Sequence, residues 1–335
     1  MKKAHILFIV LIVFVFCACS KKESASSGTK LVIWTYDSFT SEWGPGAAIA
    51  RNFKEESGFE IQWESAGDAG SLLARLLLEG SGANADIVLG LDQNLAPRAL
   101  KSGLFEAYIP KNAKNLIADI GFNGDFRLIP YDYSYFALIY DSEKIEAPPS
   151  NLEALCDAKY KQKLILMDPR TSSPGLGFFV WTKAIYGNQW QDYWKRLLPS
   201  VLTIAAGWDE GYGLFTKGEA PLVLSYTTSP AYHAEYEKST RYKAALFKDG
   251  HPLQTEFAGL LVNAKAKEAA KQFLEFMLSR GFQKEIPLGN WMYPVIDIEL
   301  PVSFNEAPKP AKAISSAPVS DEEINAWAEL VRSAR

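Results

Sequence analysis

The sequence has few of the residues on which enzyme chemistry usually depends. It contains three cysteines and three histidines among 335 residues, and only Cys156, His233 and His251 lie beyond residue 19. A lone cysteine cannot form an internal disulfide, and neither histidine has a cysteine or histidine at metal-ligand spacing. Cys156 lies in an apolar helical stretch, so we interpret it as a buried bystander rather than a nucleophile.

Recognisable catalytic motifs are also missing from the sequence. It has no glycine-rich nucleotide loop, no H-E-x-x-H and no G-x-S-x-G. The carboxylate pairs Glu55–Glu56 and Asp209–Glu210 are adjacent in sequence, and adjacent side chains on a helix point apart. We therefore predict a protein that is not an enzyme and that holds neither a cofactor nor a metal ion.

Long runs of positive charge are absent after residue 22, and the formal net charge is −4 at pH 7. Proteins that bind nucleic acid usually carry a basic surface, so we expect no nucleic-acid partner. Hydrophobic residues make up 48% and charged residues 22% of the chain, which is typical of a soluble globular protein.

The one long apolar run lies at the N-terminus, over residues 6–16, directly after Lys2 and Lys3. It is too short to span the roughly 30 Å hydrocarbon layer of a bilayer, but it suits a signal peptide. Ala18 before Cys19 resembles the end of a bacterial lipoprotein signal. We predict a signal peptide over residues 1–18 and a lipid, such as palmitate, on Cys19; a cleaved signal without lipidation is the alternative.

Residues 19–30 are polar and small, which indicates a flexible tether between this anchor and the folded domain. The prediction places the protein in the periplasm or on the cell surface, in contact with the membrane through the lipid anchor only.

Apolar strands alternate with amphipathic helices along the rest of the chain, which predicts an α/β fold with a largely parallel sheet. The predicted strands are 31–36, 60–64, 86–91, 164–167, 202–206, 222–226 and 257–262, and the predicted helices are 47–56, 71–79, 95–102, 176–186, 189–197, 211–216, 265–279 and 321–334. A long extended segment over 128–141 separates two such α/β sets, and the proline-rich segment 301–318 is expected to be surface coil. Two lobes with a cleft between them are indicated, and a single large sheet is the alternative.

Aromatic residues make up 13% of the chain, and many of them stand in loops beside hydroxyl residues and glycines. These loops follow strands or precede helices, at the sheet edge where α/β proteins bind ligands. Exposed Trp and Tyr faces favour a flat or cationic ligand. Residues 171–173 precede a helix and suit an anion such as phosphate, whereas Asp68 suits an amino group or caps the next helix.

Six ordered segments of this kind resemble a known family: TYDSFTSEWGPG, ADIVLGLDQNL, YDYSYFALIYD, DPRTSSPGLG, LVLSYTTSPAYH and GNWMYP. They resemble the thiamine-binding proteins of bacterial ABC importers, which belong to the two-lobed solute-binding superfamily. The resemblance runs from Leu31 to Pro301. It implies a two-lobed, periplasmic-binding-protein-like (type II) fold, with lobe 1 over 31–132 and 252–335, lobe 2 over 133–251, and a ligand cleft at the hinge.

The resemblance further implies that thiamine, thiamine monophosphate or thiamine diphosphate binds between the lobes, and that an ABC transporter permease is the partner. It implies an aromatic surround for the two rings, a carboxylate near the aminopyrimidine with a backbone contact beside it, and a pocket for the hydroxyethyl or phosphate end. By this resemblance, the aromatic surround consists of Tyr36, Trp43, Tyr232 and Trp291. Asp68 is the carboxylate, and Ala69 supplies the backbone contact where the family pattern has glycine. The pocket for the hydroxyethyl or phosphate end consists of Ser172, Trp208 and Tyr226.

Two other functions remain open from the residues. The same fold could bind iron(III), with Tyr131, Tyr133 and Tyr135 as candidate ligands, or a polyamine; alternation places these three tyrosines on one strand face. A thiamine-degrading enzyme would need a nucleophile, for which Cys156 is the one cysteine of the folded part. We expect a monomer in either case.

Overall fold

The computed structural model describes residues 30–314 and 319–334. The predicted signal peptide, Cys19 and all but the last residue of the predicted tether lie outside these residues. Within the described part of the chain, none of the helices combines the length and the apolar character needed to cross a bilayer.

The chain forms two α/β units in succession and then returns to the first. The first unit comprises β1 (Leu31–Thr35), α1 (Asp37–Thr40), α2 (Gly46–Ser57), β2 (Ile61–Ser65), α3 (Ala69–Glu79), β3 (Ile87–Asp92), α4 (Ala96–Lys101), β4 (Phe105–Glu106) and the long strand β5 (Ile129–Asp141). The second unit comprises β6 (Leu164–Met167), α5 (Ser173–Tyr186), α6 (Trp190–Leu197), β7 (Val201–Ala205), α7 (Trp208–Thr216), β8 (Leu222–Tyr226), α8 (Ser229–Tyr232), a π-helical turn (His233–Glu237) and β9 (Tyr242–Ala245).

The return segment begins with a second long strand. It comprises β10 (His251–Leu261), α9 (Lys267–Met277), α10 (Arg280–Gln283), α11 (Ile286–Gly289), β11 (Tyr293–Pro294), β12 (Ala313–Ile314) and α12 (Asp321–Ser333). Over the whole described chain, the sequence pattern predicted most of the helices and strands to within a few residues. Each of those predicted combines strong apolar periodicity with a clear boundary signal.

The two long strands link the two units through a continuous hydrogen-bonded path. The strand order is β2-β1-β3-β10-β5-β8-β6-β7. β1 runs parallel to β2 and β3, and β6 runs parallel to β7 and β8, whereas β10 is antiparallel to both β3 and β5. The first half of β5 pairs with β10 and its second half with β8, so this strand passes from one unit into the other.

Separate hydrophobic cores make these units two lobes despite the shared strands. One lobe packs around β1 and β3, with α2 and α9 on one face and α3 on the other. The second lobe packs around β6 and β8, with α5 and α6 contributing Trp181 and Trp194. The two-lobed α/β fold was predicted correctly, but the sheet is mixed rather than largely parallel, because β10 runs antiparallel to β3 and β5, and β5 runs antiparallel to β8.

Several local predictions were wrong. Helix α7 begins at Trp208 rather than at residue 211, and strand β10 begins at His251 rather than at residue 257. Helix α3 begins at Ala69 rather than Ser71, because the Asp68 carboxylate accepts the Ala69 N–H at 2.6 Å and caps the helix. Segment 301–318 is not simply coil, since it includes a 3₁₀ turn and the short strand β12, which pairs with β10 through His251 and Ala313.

Candidate functional site

An open cleft, with about 990 Å³ of empty space including the solvent at its mouth, lies between the two lobes. Its walls come from the loops that follow β1, β8 and α11, from the start of α7 and from β10. Eighteen residues line it: Tyr36, Ser38, Trp43, Asp68, Ser173, Pro174, Trp208, Asp209, Tyr212, Gly213, Thr216, Tyr226, Ser229, Tyr232, Glu256, Asn290, Trp291 and Met292. Aromatic rings dominate both walls, as is usual for small-molecule sites.

Seven of the nine predicted ligand-binding residues lie together in this cleft: Tyr36, Trp43, Asp68, Trp208, Tyr226, Tyr232 and Trp291. These seven residues are spread along the sequence from Tyr36 to Trp291, and both lobes contribute some of them. Their contact with a ligand stays a prediction.

The lobe 2 wall presents a stacked pair of rings. Trp208 lies over Tyr212, with centroids 4.9 Å apart and planes 17° from parallel. The Trp208 indole donates to the Ser225 hydroxyl at 2.7 Å, which holds its ring plane against the cleft. Trp43 of lobe 1 approaches the same indole to 5.9 Å, so the rings of the two lobes meet here.

A second aromatic group forms the far end of the cleft. The ring centroid of Trp291 lies 5.1 Å from that of Tyr232 and 5.4 Å from that of Tyr236, both edge to face, and the two tyrosine rings are 5.5 Å apart. Trp291 has a φ of 57°, a backbone conformation that is uncommon for a bulky residue. Such strain concentrates at binding sites, where the surrounding structure stabilises it.

Asp68 lies where the two lobes touch. One carboxylate oxygen accepts from the Ala69 N–H at the start of α3, and the other accepts from the Trp208 N–H at the start of α7 at 2.9 Å. Burial raises the pKa of this carboxyl, and the two backbone donors partly offset that effect. Asp68 therefore caps two helices, one in each lobe.

The remaining two predicted residues lie outside the cleft wall. Ala69 is 1% exposed, and its N–H is already bonded to Asp68. Ser172 is also 1% exposed, because its hydroxyl caps α5 by accepting the Gly175 N–H at 3.4 Å. Its neighbour Ser173 lines the cleft instead and donates to Asp92 at 2.8 Å.

The floor of the cleft was not predicted from the sequence. Glu256 on β10 accepts hydrogen bonds from the phenols of Tyr36 and Tyr131 at 2.8 and 2.6 Å. Burial raises the pKa of this carboxyl to about 7. Asn290, beside Trp291, completes the floor by donating to Asp132 at 2.6 Å. The signal available in the sequence was a carboxylate next to apolar strand residues, since a charged side chain is rarely buried unless it is paired.

The charged side chains that line the cleft are all acidic: Asp68, Asp209 and Glu256. Lysine, arginine and histidine do not occur among its eighteen lining residues. A cleft with one sign of charge and low-dielectric aromatic walls concentrates ligands of the opposite charge. The geometry therefore suits a flat, positively charged ligand.

The three tyrosines considered for iron binding do not converge on an open position. Tyr131 is fully buried and donates to Glu256, while Tyr133 packs against Tyr293 at 5.3 Å. Tyr135 lies edge to face with Tyr133 at 6.5 Å. Residues 30–314 and 319–334 contain no group of three His, Cys, Asp or Glu side chains arranged to hold a metal ion.

Cys156 lies away from the cleft, in a 3₁₀ turn of lobe 2 (Glu153–Cys156). Burial raises the pKa of its thiol to about 11. The thiol is therefore neutral at physiological pH, whereas a nucleophilic cysteine needs a depressed pKa.

Comparisons with known proteins agree with this geometry. The sequence profile of the bacterial extracellular solute-binding proteins matches residues 48–286. The thiamine-binding periplasmic protein of Brucella melitensis is 46% identical over 305 residues, which cover 90% of this chain and 91% of that protein. The protein of the same name from Escherichia coli strain K12 is 44% identical over 289 residues, covering 86% and 88%.

A solved structure described as a periplasmic thiamin binding protein superposes with a TM-score of 0.84 at 42% identity, covering 92% of this chain and 96% of that one. Sequence identity at this level, over nearly the full length of both chains, is much higher than a shared fold alone would require. The chain belongs to the bacterial extracellular solute-binding proteins and, within them, to the family of thiamine-binding periplasmic proteins.

Proposed function

We propose that this chain captures thiamine outside the cytoplasm and delivers it to an ABC importer. The observation that carries the proposal is a cleft in which aromatic faces from both lobes meet and every charged lining residue is acidic. Thiamine holds a permanent positive charge on its thiazolium ring, and each favourable cation–π contact contributes about 0.5–2 kcal/mol. Family membership supports the same ligand.

We further propose how the ligand lies in the cleft. Tyr36, Trp43, Tyr232 and Trp291 surround the two rings, and Asp68 faces the aminopyrimidine. The hydroxyethyl end extends toward Trp208 and Tyr226. Four residues with side-chain hydroxyls also line the cleft: Ser38, Ser173, Thr216 and Ser229. The same hydroxyls would receive the phosphate of thiamine monophosphate or diphosphate, so we include both esters among the ligands.

Calorimetry on residues 20–335 with thiamine and its two phosphate esters tests this proposal directly. We expect stoichiometric binding together with a change in tryptophan fluorescence, since three tryptophans line the cleft. Trp208→Ala should weaken binding by at least about tenfold through the loss of stacking and cation–π contact. Leu78→Ala, at a residue 88% exposed on α3, is the matched control and should leave binding unchanged. No detectable thiamine binding by the unmodified protein would end the proposal.

Two competing ligand classes serve as comparisons in the same experiment. A polyamine also fits an acidic cleft, but it has no flat ring to stack on Trp208. Iron(III) would need converging tyrosinate ligands, which Tyr131, Tyr133 and Tyr135 do not provide. We expect neither spermidine nor iron(III) to compete with thiamine; competition at equal concentration would favour the corresponding alternative.

We propose binding without turnover. The relatives named above are binding proteins, and the neutral Cys156 thiol lies outside the cleft. Prolonged incubation of thiamine with the protein, followed by chromatography, should return the vitamin unchanged. Loss of thiamine that scales with protein concentration would instead indicate a degrading enzyme.

We also propose that the protein is held at the membrane by a lipid on Cys19, after removal of residues 1–18. The support is the sequence of the apolar run and the Ala18–Cys19 junction. Cys19→Ala should move the protein from the membrane fraction to the soluble fraction, and mass spectrometry of the native N-terminus should show acyl chains. A native chain that is soluble and unmodified would favour an ordinary cleaved signal.

We expect the protein to work as a monomer, because one chain supplies both walls of the cleft. Light scattering coupled to size-exclusion chromatography, with and without thiamine, checks this expectation. A dimer that persists on dilution would contradict it.

A further inference from the structure

Two buried carboxyl groups face each other at the floor of the cleft. Asp132 on β5 and Glu256 on β10 are directly opposite across the antiparallel strand pair. Asp132 is fully buried and Glu256 is 5% exposed, and Glu256 alone of the two lines the cleft. Two carboxylates at paired positions of adjacent strands repel each other in a dry site, which favours a proton on one of them.

The hydrogen-bond donors around the pair are distributed unequally. Glu256 accepts three hydrogen bonds, from Tyr36 at 2.8 Å, Tyr131 at 2.6 Å and Gln254 at 2.9 Å. Asp132 accepts one, from Asn290 to Oδ2 at 2.6 Å, and its buried Oδ1 has no donor. Donors stabilise the charged form of a carboxyl, and a buried oxygen without any donor destabilises it.

Other ionisable groups around Glu256 do not supply a compensating positive charge. The phenols of Tyr36 and Tyr131 and the phenol of Tyr226 on β8 face it, and the carboxyls of Asp68 and Asp92 add negative potential. An anion at Glu256 is therefore solvated by hydrogen bonds alone until a cation enters the cleft.

We propose that Asp132 carries the proton and donates it from Oδ1 to Glu256, so that Glu256 presents one buried negative charge as the counter-charge of the ligand's cation. This inference rests on the proposed function, because it assigns a role to Glu256 toward a cationic ligand. The proton gives Asp132 Oδ1 the partner it lacks and completes the hydrogen bonds of the pair.

The direction of the pKa shifts agrees with this assignment. Burial and the neighbouring Glu256 raise the pKa of Asp132 well above its usual range, which favours its protonated form. The pKa of Glu256 is raised to about 7, mainly by burial. A cation in the cleft favours the charged form and lowers that pKa, so binding near neutral pH must release protons.

Calorimetry of thiamine binding to the purified mature protein, from about pH 5 to about pH 8.5, tests the coupling over the range where Glu256 titrates. We expect affinity to fall on acidification, by about tenfold for each unit by which thiamine lowers the pKa of Glu256. Repeating the titration in two buffers of different ionisation enthalpy should reveal proton release on binding.

A pair of isosteric variants separates the two carboxyls. Glu256→Gln removes the counter-charge and should weaken binding by at least about tenfold at alkaline pH and flatten the pH profile. Asp132→Asn mimics the protonated acid, because its amide can still donate to Glu256, and should bind within about threefold of the unmodified protein. Glu55→Gln, on the exposed face of α2, is the charge-matched control and should change nothing.

The opposite pattern, in which Asp132→Asn loses affinity and Glu256→Gln keeps it, would overturn the assignment. Binding that is independent of pH and releases no proton would overturn the coupling while leaving the proposed function intact. Absence of thiamine binding at every pH would instead contradict the proposed function. In that case a measurement without ligand still tests the assignment of the proton to Asp132. Infrared spectra of the apoprotein near neutral pH should show a buried carboxylic acid band that Asp132→Asn removes. A band that is unchanged in this variant would refute the assignment.

Discussion

Tyr36 owes its place in the cleft to a residue without a side chain. Gly90 on β3 has a φ of 110°, and a Cβ added there would lie 2.3 Å from the Tyr36 ring. The ring lies against this bare backbone, where its hydroxyl reaches Glu256. Glycine is needed for both reasons, since other residues rarely adopt this conformation and none would leave room for the ring.

We therefore predict that Gly90→Ala displaces Tyr36. Thiamine affinity should fall by at least about tenfold, and the free energy of unfolding should fall by about 1–3 kcal/mol from overpacking and backbone strain. Calorimetry and urea denaturation measure the two effects. Gly82→Ala is the control, because nothing lies within 4 Å of its added Cβ, and it should leave affinity unchanged. Equal affinities for both variants would contradict this role of Gly90.

A buried histidine makes stability depend on pH. His251 Nε2 accepts the Phe247 N–H at 2.7 Å, so its Nδ1–H donates to the Phe136 carbonyl, also at 2.7 Å. This pairing requires the neutral ring, and burial lowers the pKa of His251 below the ordinary 6.5. The unfolded chain then binds more protons than the folded chain below about pH 6.5, so acid favours unfolding through this residue.

We predict that the His251 ring titrates below 6.5 in the folded protein, as measured by NMR of the imidazole. The His251 contribution to the free energy of unfolding is fully present above that pH and is lost as the pH falls through the lowered pKa. Glu256 acts with the opposite sign, because its raised pKa favours the folded state on acidification. A ring that titrates at or above 6.5 would contradict the prediction.

At the scale of elements, the last helix contacts both lobes. Trp327 on α12 packs edge to face on Trp194 of lobe 2, with centroids 5.4 Å apart, and Lys183 of α5 pairs with Glu323. Ile324 of the same helix packs against the core that contains α3 and α4. The predicted division of the chain, which stays a prediction, assigned this helix to lobe 1.

We predict that Trp327→Ala lowers the free energy of unfolding by about 3–5 kcal/mol, the usual cost of removing a buried tryptophan side chain. Ser320→Ala should cost about 1 kcal/mol, because Ser320 and Glu323 form a capping box at the start of α12. Urea denaturation checks both values against Asn325→Ala, an exposed position on the same helix. Effects no larger than that of the control would show that α12 contributes little to stability.

Across the whole molecule, the two lobes touch through polar contacts beside the cleft. Asp68 accepts from the Trp208 N–H, Ser173 donates to Asp92, and the Ser71 N–H donates to the Thr171 carbonyl at 3.1 Å. A ligand that touches both walls stabilises the arrangement in which these contacts form, which is how a binding protein couples capture to closure.

We predict that Asp68→Ala weakens closure as well as binding, because it removes the acceptor shared by α3 and α7. Thiamine affinity should fall by at least about tenfold, as expected for the loss of a charge-assisted contact together with any ligand contact. Small-angle X-ray scattering should show a larger radius of gyration at saturating thiamine than in the unmodified protein. Asp192→Ala, at an exposed carboxylate on α6, is the control; an unchanged radius for Asp68→Ala would contradict the closure role.

Most helices and strands and most residues of the cleft wall were predicted from the sequence, but the residues of the cleft floor were not. Strands β6 and β8 were predicted with the observed bounds, because their apolar runs have sharp ends. Aromatic residues such as Trp208 and Trp291 were identified from the sequence because they stand beside glycines and hydroxyl residues, outside the apolar periodicity. Glu256 and Asp132 were not found, since a carboxyl within a strand gives no sign of what lies opposite it until the strands are paired.

The α/β alternation, the loops rich in aromatic residues and the family could all be read from the sequence, because periodicity and ordered motifs are local properties of the chain. Folding was needed to show that Asp68 caps a helix in each lobe, that Ser173 lines the cleft while Ser172 caps α5, and that Asp132 and Glu256 lie opposite each other. The reason is physical: hydrogen-bond partners and the solvation of a buried charge depend on residues distant in sequence that folding brings together.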